Sequence, residues 1–230
     1  MDHESNSALL QGSTTSLGLL FSLLFSLLIL PVLEGLHTGR ALLLVGLTIT
    51  FVVGAMAARA RLRLVTLVLL AVALPTTWAT LFVNSKLLFV LHCLLGSAFF
   101  WLIGGIVVYA VIRTHVVSFD SVFSAISAYL LFGLAWALSY WAIHSVMPDA
   151  FSLPESRAAT GGAEIPQVKD FSHFIYYSFV TMSTLGYGDM TPLNRITQTL
   201  SWLQSVTGQF YVAVVIAWLV SALPRPGNSK

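Results

Sequence analysis

Charge is scarce in this sequence. Lys and Arg number 11 and Asp and Glu 9 in 230 residues, so 9% of the chain is charged, against about 25% in a typical soluble domain. That is too little to cover a water-facing surface, which excludes an ordinary soluble globular protein. Intrinsic disorder is excluded as well. It needs low hydrophobicity and high charge, and 57% of these residues are hydrophobic. A scattered net charge of +2 leaves no basic footprint for nucleic acid. The single cysteine, Cys93, permits no intrachain disulfide. The sequence has no nucleotide-binding loop, no metal-ligand cluster and no Ser/His/Asp arrangement, so no enzyme and no cofactor is expected. No repeat of fixed period is present.

Long apolar runs are what the sequence does have. A bilayer core of about 30 Å needs about 20 apolar residues of helix. Six stretches qualify: Ser16–Leu33, Ala41–Ala58, Leu62–Val83, Leu87–Ile112, Ser121–Met147 and Ile196–Leu223. The first reads as a span rather than a secretory signal, because Asp2 and Glu4 precede it and no Lys or Arg does. Arg59, Arg61 and Arg63 crowd the link between spans two and three, and the positive-inside rule puts that link in the cytoplasm. Both termini are then expected inside the cell, with the whole chain a multi-pass protein of the plasma membrane. The segment between spans five and six is expected outside. There Asp149, Glu155, Glu164 and Asp170 outnumber Arg157 and Lys169, in a linker-like stretch over Pro148–Asp170.

Between those two spans, Phe171–Met182 is apolar and aromatic but only 12 residues long. That is too short to cross and fits a re-entrant half-helix. Thr184-Leu185-Gly186-Tyr187-Gly188-Asp189 follows. Its alternating glycines favour extended backbone with access to positive φ. Irregular backbone at membrane depth is tolerated only where it lines a cavity or is buried in protein. Alternating glycines let successive carbonyls face one axis, and a ring of carbonyls can replace the hydration shell of a cation. Thr184 can add its hydroxyl at the inner end. The partial negative charge at the half-helix C-terminus, near Met182, favours a cation just below it.

Thr184–Asp189 resembles the selectivity filter of the potassium-channel family, the Thr-Val-Gly-Tyr-Gly signature, with Leu185 for the common Val. Thr181-Met182-Ser183-Thr184 resembles the lead-in to that filter. The resemblance covers about Phe119–Leu223 and is clearest from the half-helix onward. It implies that the carbonyls of Thr184, Leu185, Gly186 and Tyr187, with the Thr184 hydroxyl, coordinate K⁺. Gly188 completes the ion-binding strand, and Tyr187 braces it from behind. Asp189 is implied at the outer mouth, with Tyr177 as its aromatic hydrogen-bond donor and Thr181 and Ser183 as supports. Val180 stands where some bacterial members have a carboxylate. Gly208, 20 residues after Gly188, matches the family's inner-helix hinge, although close helix packing explains a membrane glycine equally well. Val212, Ile216 and Val220 share a helical face and are candidates for pore lining or for packing.

The expected fold is therefore all-α and integral to the membrane: six transmembrane helices, with a re-entrant pore helix and filter loop between the fifth and sixth. Residues 1–15 and 224–230 are expected to be cytoplasmic tails, too short to be regulatory domains. Residues 16–116 form a four-helix membrane domain and 117–223 the pore domain. One filter strand cannot encircle an ion, so the expected unit is a homotetramer in the lipid bilayer, with a separate regulatory subunit a candidate partner. Voltage sensing of the usual kind is not expected. Leu87–Ile112 contains no Arg or Lys, Arg113 stands at its end, and spans two to four contain no acidic residue. The expected function is passive K⁺ conduction. A weakly selective monovalent cation channel and a non-conducting accessory subunit are the alternatives. His92, inside span four, is expected to hydrogen-bond a neighbouring helix as a neutral group. Pro75 is a candidate kink in span three.

Overall fold

The computed structural model describes residues 16–29, 39–56, 62–113, 118–153 and 168–221. Its helices are α1 (Ser16–Ile29), α2 (Gly39–Met56), α3 (Arg63–Ala79), α4 (Lys86–Ile112), α5 (Phe119–Val146), α6 (Val168–Met182) and α7 (Arg195–Ser221). A 3-10 turn (Pro148–Ala150) and β1 (Phe151–Ser152) follow α5, and β2 (Thr191–Pro192) precedes α7. The expected tails, Arg59 and Arg61 in the basic link, and residues 154–167 of the linker lie outside the described residues.

Among the described residues, two helix ends differ from expectation by three residues or more. The third apolar run was expected to stay helical to Val83, but α3 ends at Ala79. There Leu81 N–H bonds to the Trp78 carbonyl at 3.1 Å and the chain turns. Ser85 then caps α4, accepting from Leu88 N–H at 3.5 Å. Pro75 lies inside α3, which runs on past it to Ala79. The half-helix begins at Val168, three residues before the expected Phe171, so α6 takes in the end of the expected linker.

Helices α4 and α5 are 27 and 28 residues long and apolar enough to cross a membrane. At about 1.5 Å per residue each exceeds the bilayer core in length. They pack through small residues that let their backbones approach. A Cβ added to Gly96 would fall 2.9 Å from Leu138 Cδ1, and one on Gly104 would fall 2.5 Å from Phe132 Cε1. Ser97 Oγ donates to the Ala135 carbonyl and pairs with Ser139 Oγ, both at 2.9 Å.

The earlier helices attach to this pair through aromatic packing and isolated polar bonds. Phe51 of α2 sits against Phe99 and Phe100 of α4, with ring centroids 4.9 and 5.0 Å apart. Ser26 and Thr50 hydroxyls pair α1 with α2 at 3.3 Å. Trp78 Nε1 donates to Thr48 Oγ1 at 3.1 Å, joining α3 to α2. His92 is buried, and its Nδ1 lies 2.9 Å from Thr77 Oγ1 on α3. The outward faces of α1–α4 present Phe21, Leu28, Leu64 (73% exposed) and Leu87, and the exposed charges among the described residues of these helices, Arg63 and Lys86, stand at helix starts. Such a surface is costly in water and suited to hydrocarbon.

Candidate functional site

The Thr184–Asp189 loop is held at both ends and open in the middle. At its start, α6 ends in a tight reversal. Ser183 N–H bonds to the Phe179 carbonyl at 2.9 Å, Thr184 N–H to Thr181 at 3.1 Å, and Leu185 N–H to Val180 at 3.0 Å. The last carbonyls of the helix, which lack intrahelical partners, are thus used by the amides of the loop. At its far end, β2 pairs antiparallel with β1, Phe151 opposite Pro192 and Ser152 opposite Thr191. Leu193 N–H adds a bond to the Ala150 carbonyl at 2.9 Å. The ladder ties the exit of the loop to the turn after α5.

Between these anchors the backbone alternates. Thr184, Gly186 and Gly188 have φ of 60°, 54° and 80°, whereas Leu185 and Tyr187 have negative φ. Among the described residues, no hydrogen bond is accepted by the carbonyls of Thr184, Leu185, Gly186, Tyr187 or Gly188. Leu185 and Tyr187 are 58% and 66% exposed on the single chain. A Cβ at Gly186 or Gly188 would meet nothing within 4 Å, so positive φ rather than crowding favours glycine there.

Asp189 receives a phenol, and the donor is Tyr176 rather than the expected Tyr177. Tyr176 Oη donates to Asp189 Oδ2 at 2.7 Å. Asp189 Oδ1 accepts from Met190 N–H at 3.1 Å. The carboxylate bond pushes the Tyr176 phenol up to about 12. Tyr177 sits one helical step, about 100°, around α6. It is buried, and its hydroxyl pairs with Ser201 Oγ of α7 at 2.5 Å. Adjacent tyrosines differ only in which face of the helix they occupy.

Helix α7 lies close against α6. A Cβ at Gly208 would fall 2.2 Å from the Met182 carbonyl oxygen, so glycine is what allows the two backbones to touch. The helix continues unbroken through Gly208 to Ser221. Of the two expected roles, hinge or close packing, the packing contact is the one present in this conformation. Gln209 Nε2 donates to Thr184 Oγ1 at 3.2 Å, and that hydroxyl donates to the Ser183 carbonyl at 2.7 Å. Val212 is exposed on α7, whereas the side chains of Ile216 and Val220 lie outside the described residues.

Behind α6, aromatic rings fill the space toward α5. Trp141 stacks on Phe171 with centroids 4.7 Å apart, Tyr140 meets Tyr177 edge-on at 5.1 Å, and His144 lies 5.2 Å from Phe174. Sequence reasoning singled out neither Tyr176, Ser178, Gln204 nor Gln209. The available signal was polar side chains inside or beside apolar helices, which require partners.

No curated protein and no solved structure matches the chain. A family model described as ion channel matches residues 96–225. The match takes in most of α4 and all of α5, α6, the Thr184–Asp189 loop and α7. It covers more than half of the sequence, and the chain therefore belongs to this ion-channel family.

Proposed function

We propose that this ion channel is a potassium-selective channel, in which Thr184–Gly188 of four identical chains surround a common axis and replace the water around K⁺. The observation that carries the reading is the alternation of φ at Thr184, Gly186 and Gly188, with no carbonyl of the strand accepting a hydrogen bond among the described residues. Buried carbonyls without partners are costly, whereas carbonyls that line an ion path are satisfied by the ion. Exposure of Leu185 and Tyr187 on one chain fits their burial between chains. A closed ring of four copies supplies the missing walls. Thr184, fixed by its bonds to Ser183 and Gln209, offers its hydroxyl to the innermost ion. Asp189, steadied by Tyr176, stands at the outer mouth.

In the proposed arrangement α1, α2, α3, α4, α5 and α7 cross the membrane, and α6 enters and leaves on the outer side. The basic link before α3 faces the cytoplasm of the cell, as do both termini. The α1–α4 helices form a membrane domain without the row of cations that voltage sensing needs. Purified protein in proteoliposomes loaded with KCl, with a protonophore present so that H⁺ entry balances the charge, should release K⁺ into an isosmotic NaCl medium and run as a tetramer in native mass measurement. Equal K⁺ release and Na⁺ uptake would favour the weakly selective alternative. No flux of either ion under pH, tension and lipid screening would refute conduction.

A further inference from the structure

Helix α7 lays a polar, small-residue face along α6 and the turn after α5. Thr197, Ser201, Gln204 and Gly208 recur at spacings of four, three and four, the period of one helix face. Thr197 Oγ1 donates to the Ala150 carbonyl at 3.1 Å, Ser201 pairs with Tyr177, and Gly208 abuts Met182. Gln204 lies at the centre and is 0% exposed. Its Nε2 donates to the Ser178 carbonyl at 3.0 Å and to Ser178 Oγ at 2.7 Å. Its Oε1 accepts from the Tyr140 hydroxyl at 2.7 Å, and Ser178 Oγ donates onward to the Gly133 carbonyl at 2.7 Å. One amide therefore joins α5, α6 and α7. A buried network whose members are all satisfied holds its elements in a single arrangement.

We propose that Gln204 is a positioning residue for ion selection. It fixes the height and rotation of α6 between α5 and α7, and so the placement of the Thr184–Gly188 carbonyls. The inference rests on the reading of that strand as a K⁺ filter. Ser178 stands six residues before Thr184, and the helix between them is unbroken to Met182. A displacement at Ser178 therefore moves the start of the strand, and the discrimination of K⁺ from Na⁺ depends on how the carbonyls are set.

The test is the K⁺/Na⁺ permeability ratio of the full-length tetramer in planar bilayers. Gln204→Met removes the donors and the acceptor at similar length. Gln204→Glu keeps an acceptor for Tyr140 but sets a carboxyl against the Ser178 carbonyl. Both should lower the ratio by about tenfold, the scale of one lost buried hydrogen bond. Tyr140→Phe leaves both Ser178 bonds and should lower it less. A role confined to folding would reduce the amount of tetramer and leave the ratio of the surviving channels unchanged. Should the Gln204 variants fail to assemble, Ser178→Ala carries the same expectation of a lowered ratio. An unchanged ratio in assembled Gln204→Glu or Ser178→Ala overturns the proposal. A wild-type channel that does not distinguish K⁺ from Na⁺ overturns the filter reading itself, and this proposal falls with it.

Discussion

Thr184 holds a φ of 60° without being glycine. A left-handed conformation costs an ordinary residue about 1–2 kcal/mol, and strain of this kind persists where the surroundings over-determine it. Here the Thr184 amide is bound to Thr181 and the hydroxyl to Ser183 and Gln209. Gly186 has the same handedness with open space around it. Gly186→Ala places a Cβ on a backbone of positive φ and should abolish selective conduction while leaving helix content near wild type. Retention of the wild-type permeability ratio would count against the strand's proposed role. The Tyr176–Asp189 bond makes a second residue-scale prediction. Tyr176→Phe should alter K⁺ current at the outer mouth, seen as changed block by external cations, whereas Tyr177→Phe should not. Because the bond raises the Tyr176 pKa, its contribution is complete below the ordinary phenol value of about 10 and is lost as pH rises through about 12. External block should accordingly be independent of Tyr176 ionisation near neutral pH. Gly-Tyr-Gly stood out in the sequence through its context, a short apolar half-helix before it and a long apolar run on either side, since the tripeptide alone would suit a turn. Which of two adjacent tyrosines meets Asp189 was not legible, because that depends on the rotation of α6 about its axis.

Helices α6 and α7 meet where Gly208 touches the Met182 carbonyl. A methyl group there must push the half-helix or α7 aside, and overpacking of this kind costs about 1–3 kcal/mol. Gly208→Ala should lower the melting temperature of the detergent-solubilised protein by several degrees. A hinge without packing would predict an unchanged melting temperature with altered opening alone. Hydrophobic run length and the short apolar segment before the glycines located the described α-helices to within a few residues. Capping and turns adjusted the ends: Ser85 begins α4 and the turn after Ala79 shortens α3. The β1–β2 ladder was not legible, because Phe151-Ser152 and Thr191-Pro192 are two-residue strands paired across the intervening linker and half-helix. Gln204 escaped notice because a single polar residue in an apolar run reveals that it needs a partner but not which one.

At the scale of the whole molecule, low charge has two consequences. It allows helices such as α4 and α5 to lie in hydrocarbon, and membership of the ion-channel family gives them a pore to serve. It also leaves α4 without internal Arg or Lys. Each gating charge would be worth about 2.3 kcal/mol per 100 mV, so open probability should vary little across physiological voltages. A steep voltage dependence, equivalent to several charges per channel, would contradict that reading. The central claim is that neutral carbonyls of four chains select K⁺. Its most direct test is the reversal potential of the purified channel in a planar bilayer, with KCl on one side and equimolar NaCl on the other. The account predicts a reversal displaced far from zero, with K⁺ carrying the current toward the NaCl side. A reversal near zero would mean that K⁺ and Na⁺ pass alike, and would contradict it.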